Sequence, residues 1–219
     1  MNVEKYSRKE EEHMRRRTLI LDVAEQVISE VGFESATMNQ IAEKADVGKG
    51  TLYLHFDSKT SIYLAICERG SRLLNEKMAT VFAKDLKGLE MVELLGYTYL
   101  RFIQENPQYF YAFSYYEGVM AEQKVKTSEI SEQCEQNAKN GMTYIVRSLQ
   151  IGMQDGSIDD SYDPMQLGVM IWGASKGIIN MAFLKEQGHH FKLLDEVDVS
   201  LDTMITGFIQ LIGRGISKK

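Results

Sequence analysis

Lys49, Thr51, Tyr53, Leu54 and His55 crowd into one short run of the chain. A cation, two hydroxyls, an imidazole and an aliphatic group form a mixture suited to phosphate oxygens and base edges. Leu52 and Phe56, four residues apart, would anchor the same run to a core and leave the others pointing outward. Lys59 follows at the start of a long helical pattern. There its charge and the free N–H groups of the helix start would together attract a phosphate. Other chemistries find little support. There is no Ser-His-Asp set, no paired metal-ligand helix motif and no phosphate loop, so the expectation is a protein that is not an enzyme and carries no cofactor. His189-His190 is an adjacent pair on a polar loop and reads as inert. Cys67 and Cys134 have no CxxC spacing. They suggest neither a disulfide framework nor a zinc site, and they fit a reducing cytoplasm.

The elements that must position these side chains read as helices throughout. Only two prolines, Pro107 and Pro164, interrupt 219 residues, which favours an all-α fold. Ile20, Val23, Ala24, Val27, Ile28 and Val31 recur at helical steps within residues 8–31, and Gly32 caps that helix. Thr37 is the expected N-cap of a short helix, Met38 to Ala45, whose inner face is Met38, Ile41, Ala42 and Ala45. Asp46-Val47-Gly48 is the connection, with Gly48 expected to take any unusual dihedral angle and Val47 to anchor the turn. The second short helix runs from about Lys49 to Phe56. Two short helices joined this way are a helix-turn-helix: the first must brace the second closely, and its alanines allow that. Further helices are expected over about 59 to the low eighties, 89–104, 108–120, 128–154, 165–184 and 198–214. Asn106-Pro107 and Asp163-Pro164 serve as paired stop-and-start signals.

Charge does not advertise nucleic-acid binding. The net charge is −6, and residues 1–60 hold nine Lys/Arg against eleven Asp/Glu. Positive charge is local, in Lys5, Arg8, Lys9, Arg15, Arg16 and Arg17. Salt screens the acidic remainder beyond about 8–10 Å. The N-terminus lacks an apolar stretch of the secretory kind. Met165 to Leu184 is long enough to span a bilayer, but it contains Gln166, Ser175, Lys176 and Asn180. A helix buried in a core or dimer interface is the expectation, with no membrane partner.

The run from Thr37 to Lys59 resembles the TetR family of bacterial and archaeal repressors. The family pattern is T-x-x-x-I-A-x-x-A-G-V-S-x-G-T-x-Y-x-H/Y-F-x-S-K. Here the residues that carry it are Thr37, Ile41, Ala42, Ala45, Val47, Gly50, Thr51, Tyr53, His55, Phe56, Ser58 and Lys59. Asp46 replaces the usual glycine and Gly48 the usual serine. The resemblance covers about 50 residues. Beyond it, only helix number, length and order agree.

The resemblance implies an N-terminal three-helix DNA-binding domain, residues 1–58. A larger helical effector-binding and dimerisation bundle follows, residues 59–219, in an all-α chain of about nine helices. It implies a cytoplasmic, homodimeric, sequence-specific transcriptional regulator. Its partners would be a double-stranded operator and a small apolar or amphipathic effector that releases it, as expected of a repressor. The alternative is a helical binding or adaptor protein without DNA activity. Carried over by position, the DNA-facing residues are Arg17, Thr37, Met38, Asn39, Lys49, Gly50, Thr51, Tyr53, Leu54, His55 and Lys59. For the effector the candidates are Tyr97, Arg101, Phe110, Phe113, Tyr116, Met120, Met142, Trp172 and Lys176. The aromatics and methionines are of the kind that lines adaptable cavities, although each also suits a plain core position, and Arg101 and Lys176 are polar residues among them that could orient a ligand or serve as surface or structural residues. An acyl chain and a lipophilic drug both fit. The expected dimer seam is a strip of small residues, Gly173, Ala174 and Gly177, against Leu201, Ile205, Phe208 and Ile212, giving a four-helix bundle between two copies.

Overall fold

The computed structural model of the chain describes residues 7–32, 34–121, 128–186 and 196–218. Lys5, Phe33 and the His189-His190 pair lie outside the described residues. Among the described residues there are nine α-helices and no strand. They are α1 (Arg8–Val31), α2 (Met38–Lys44), α3 (Lys49–His55), α4 (Lys59–Ala79), α5 (Gly88–Glu105), α6 (Pro107–Ala121), α7 (Glu129–Asp155), α8 (Pro164–Glu186) and α9 (Leu201–Ile216), with one 3-10 turn at Thr80–Ala83.

Local signals start and stop these helices. Ser7 and Glu10 form a reciprocal capping box at α1: the Ser7 hydroxyl accepts from the Glu10 N–H and the Ser7 N–H donates to the Glu10 carboxylate. Gly32 ends α1 at φ +83°, its N–H donating to the Ile28 carbonyl. At α8, Asp163 accepts from the Gln166 N–H at 2.8 Å, and Pro164 occupies the first helical position, where no N–H is needed. Caps of this kind are worth about 1 kcal/mol each.

The chain divides into two compact units. The first comprises residues 1–70 and 107–134, the second 71–106 and 135–219. α4 and α7 each contribute to both, so the boundary expected after residue 58 falls inside the first unit. Within the first unit, α1 buries Ile20, Leu21, Val23, Ala24, Val27 and Ile28 and meets α2 and α6. A polar network lies inside this unit. The Arg69 guanidinium donates to Asp22 at 2.6 Å and to Glu25 at 3.0 Å, and the Tyr109 hydroxyl donates to both Glu25 oxygens at 3.2 and 3.3 Å. Burial raises the Glu25 carboxyl above its ordinary range, against the lowering effect of Arg69 and of the Tyr109 hydrogen bond. Cys67 and Cys134 are both buried here. A hydrogen bond with Cys134 and burial together hold the Cys67 thiol well above its ordinary range, which keeps it protonated and inert.

Within the second unit, α9 packs on α5 and α8. One core cluster is Val92, Leu149, Ile158, Leu167 and Ile216, and another is Met78, Val81, Met91 and Leu95. An isolated antiparallel bridge between Ile158 and Ser217 ties the α7–α8 connection to the end of α9, with the Asp159 N–H donating to the Ile216 carbonyl at 2.8 Å.

Candidate nucleic-acid interface and the second-unit surface

α2 begins on a second capping box. The Gln40 N–H donates to the Thr37 hydroxyl at 3.3 Å, and the Thr37 N–H donates to Gln40 Oε1 at 2.9 Å. Gln40 is therefore held by the cap. At the other end, Asp46 N–H donates to the Glu43 carbonyl at 3.1 Å and Val47 N–H to the Ala42 carbonyl at 3.0 Å. This bond pair is a Schellman ending, which needs a left-handed residue at its turn. That residue is Asp46, at φ +50°. Gly48, expected to carry the unusual dihedral angle, is extended at φ −63° and serves as N-cap of α3. The correction has a simple cause: the turn geometry is set by where α2 stops, and α2 stops two residues before Asp46. An aspartate in the left-handed region is strained relative to glycine. Asp46→Gly should therefore stabilise the fold by about 0.5–1 kcal/mol, read as a raised urea midpoint. A lowered midpoint would mean that the side chain compensates the backbone.

α3 is anchored by Leu52, fully buried, and followed by Phe56, also buried. Ile41, Ala42 and Ala45 of α2 are buried as well, so the brace forms as the spacing predicts. What faces solvent is Lys49, Gly50, Tyr53 and Leu54, with Thr51 half-buried. On α2, Thr37 and Asn39 are exposed and Met38 is half-buried.

Three residues sit differently from the outward placement expected of them. His55 is half-buried and turns toward α1, its ring 4.3 Å from that of His13. Its Nδ1 is enclosed and has no hydrogen-bond partner among the described residues. Burial, followed by the nearby His13, Arg16 and Arg17, lowers its pKa. Arg17 stacks its guanidinium 4.6 Å above the Phe56 ring. It belongs to a continuous helix, and burial lowers its pKa. Lys59 donates to the Glu34 carbonyl at 2.8 Å and lies 5.2 Å from the Tyr63 ring. Its ammonium thus has an internal hydrogen bond, even though it opens α4 as expected. These contacts link residues far apart in sequence, and no periodicity could have revealed them.

The expected effector residues are divided between the units. Phe110, Phe113, Tyr116 and Met120 lie on α6 in the first. Phe110 is buried, and the Tyr116 hydroxyl donates to the Ser131 carbonyl at 3.4 Å. Tyr97, Arg101, Met142, Trp172 and Lys176 lie in the second. Tyr97, Arg101 and Trp172 are exposed, and the Lys176 ammonium sits 5.2 Å from the Trp172 ring, its pKa lowered by burial. An open groove of about 780 Å³ runs along α7 and the start of α8, floored by Met142, Val146, Ile151 and Met165 and edged by Lys139 and Arg147. Of the expected effector residues only Met142 lines it.

The surface expected to form a dimer seam is partly confirmed as exposed and partly revised. Gly173, Ala174 and Gly177 are exposed, and a Cβ added at either glycine would meet nothing within 4 Å. Around them Met165, Val169, Met170, Trp172 and Met181 are also exposed. α8 is thus the one described helix long and apolar enough to cross a membrane, yet only 28% of that stretch is buried. Of the two placements expected for it, a core or a dimer interface, the core of the single chain is the one it does not occupy. On α9, Leu201 and Ile205 are buried inside the chain, and Ile212 packs against the core cluster. Their seam role is corrected, because those side chains are already covered. The outward face of α9 is Gly207, the half-buried Phe208 and the exposed Leu211.

Residues 20–66 match the family model described as bacterial regulatory proteins, tetR family. This N-terminal stretch carries the tetR-family DNA-binding pattern. Among curated relatives, the chain is 34% identical over 79 residues to the HTH-type transcriptional regulator UidR of Escherichia coli K12, covering 36% of this chain and 38% of UidR. It is 43% identical over 54 residues to the HTH-type transcriptional activator FasR of Mycolicibacterium smegmatis, covering 25% of each. The match therefore spans well under half the length of these relatives. At the level of fold, the chain is similar to the transcriptional regulator FadR from Bacillus subtilis, solved in complex with stearoyl-CoA. The TM-score is 0.67 at 20% identity, over 91% of this chain and 98% of FadR.

Proposed function

We propose that this tetR-family chain is a cytoplasmic, homodimeric, sequence-specific DNA-binding regulator whose affinity for its operator falls when a small apolar or amphipathic molecule binds. The observation that carries the reading is the exposed face of α3, Lys49, Gly50, Tyr53 and Leu54, held out by a buried brace. Tyr53, 51% exposed, is suited to a phosphate, and Lys49 to a phosphate or a guanine edge. Thr37, Met38 and Asn39 at the start of α2 lie beside the backbone of the same duplex.

Two copies are required to set two α3 helices one DNA turn apart, about 34–36 Å. The exposed α8 face, with Gly207, Phe208 and Leu211 of α9, is the surface that the second copy covers, and Met165 carries that face into the α7 groove. For the effector, the apolar candidates are Phe110, Phe113, Tyr116 and Met120 within the first unit and Tyr97, Met142 and Trp172 within the second, where Lys176 beside Trp172 offers a charge. The stearoyl-CoA bound to FadR supports an amphipathic class. No catalytic role is assigned. Binding of effector lowers operator affinity through a ligand preference of a few kcal/mol between two states. FasR carries the name of an activator, so the sign of regulation is settled by reporter expression with and without the chain; repression is the expected result.

The test is fluorescence anisotropy with a duplex from the region upstream of the coding sequence and with a random duplex. Binding should weaken steeply and log-linearly with salt. Tyr53→Ala should weaken both duplexes by a similar factor, about three- to ten-fold for one lost hydrogen bond of ordinary net strength. Absence of duplex binding at low ionic strength would overturn the reading in favour of a helical adaptor.

A further inference from the structure

The composition of the α3 face restricts what it can read. Bidentate recognition of guanine uses Arg or Lys, and of adenine Asn or Gln; cytosine is read by a carboxylate. Among the seven residues of α3 there is no Arg, Asn, Gln, Asp or Glu, and the one cation is Lys49 at its first position. Of the two amides on α2, Asn39 is exposed at its second position, and Gln40 has its Oε1 engaged by both the N–H and the hydroxyl of Thr37. One turn along α3 from Gly50 stands Leu54, on the same helix face. A Cβ at Gly50 would meet nothing within 4 Å, so that part of the face is flat and open. Leu54 is 75% exposed, the most exposed large apolar side chain among the described residues. A flat glycine beside one projecting leucine can come close to a base-pair edge, and it offers that edge only apolar contact.

We propose that Leu54 is a specificity-determining residue that reads the 5-methyl group of thymine in the major groove. The operator half-site then carries an A·T pair under α3 whose recognition is apolar. This rests on the DNA-binding reading above and adds the chemical group that is recognised. The C5-methyl is the only apolar group that a base pair presents in the major groove, and covering it removes both the methyl and the leucine from water.

The experiment begins with selection of bound duplexes from a random library by the full chain. Each thymine of the selected half-site is then replaced in turn by deoxyuridine, which removes only the methyl. For the wild-type chain, one thymine per half-site should show about a four-fold loss of affinity on replacement, the value of one buried methyl. Leu54→Ala should bind the thymine and uracil duplexes equally, and its thermal unfolding should match wild type, because the side chain is exposed. Uniform tolerance of uracil by the wild type, or full thymine preference in Leu54→Ala, would overturn the proposal while the DNA-binding reading stands. Failure to select any sequence or to bind duplex DNA would remove both.

Discussion

Gly88→Val should leave no cooperatively folded second unit. Gly88 opens α5 and is buried. A Cβ built there would lie 1.9 Å from the Gly152 nitrogen, 2.2 Å from its Cα and 2.6 Å from the Ser148 carbonyl oxygen. All three are backbone atoms of α7, so no rotamer change relieves the clash, and α5 and α7 would have to separate. The same junction holds the Gly88 N–H to an Asp155 carboxylate oxygen at 2.8 Å and the Leu89 N–H to the Ser157 hydroxyl at 3.1 Å. Separation would break both bonds and open the core around Val92 and Leu149. The combined loss exceeds about 4 kcal/mol, the range of severe core disruption. A domain of ordinary stability holds only about 5–15 kcal/mol in total. Circular dichroism during urea titration reads the outcome. Gly173→Ala is the matched control: nothing lies within 4 Å of its Cβ, and alanine is the better helix former by about 1 kcal/mol, so its midpoint should hold or rise in a monomer. An unchanged midpoint for Gly88→Val would mean that α5 and α7 are not in backbone contact.

Nothing local in the sequence marks Gly88, because its importance comes from Gly152, which is 64 positions away and tied to it through space alone. What was legible was local. Gly32, Thr37 and Asp163-Pro164 mark helix ends through bonds that span three or four residues, so a linear reading finds them. The inward face of α2 and the anchor Leu52 follow from helical steps in the same way. The left-handed residue was misplaced because Gly48 is the residue that tolerates such angles. Asp46 adopts the angle because α2 ends there. His55, Arg17 and Lys59 have contacts that no linear reading finds: side-chain type says what a residue can touch, and only packing brings His13, Phe56 or the Glu34 carbonyl to it. Tyr109 is a further case, since its aromatic type suits an apolar core while its hydroxyl donates to Glu25 on another helix.

α9 is the sharpest case, because it is apolar on both sides. Periodicity puts Leu201, Ile205, Phe208 and Ile212 on one stripe, and nothing in that stripe says how much of it faces α5. The structure decides it by burying Leu201, Ile205 and Ile209 and leaving Leu211 68% exposed. This separates two classes of substitution. Ile205→Ala removes core volume and should cost about 2–5 kcal/mol of folding stability, with the oligomeric state following only from that loss. Substitutions on the outward stripe should leave the protomer folded and act on assembly.

Gly177→Glu combined with Leu211→Glu should therefore give a folded monomer with much weakened operator binding. Both positions are exposed, and a Cβ at Gly177 meets nothing within 4 Å, so a single copy can hold the new carboxylates in water. In a two-fold seam each substitution appears twice. Four carboxylates would then lose hydration without an arranged partner, at a cost of several kcal/mol per buried ion. That cost outweighs the apolar contact expected from Met165, Val169, Trp172 and Met181. A monomer presents one α3 and loses the second, linked engagement with DNA, which is worth about 10²- to 10⁴-fold in affinity. Light scattering should halve the mass, far-ultraviolet circular dichroism should be unchanged, and anisotropy should show operator affinity approaching that for a random duplex. A double variant that remains dimeric and binds its operator like the wild type would place the seam elsewhere and leave the exposed face of α8 without a partner.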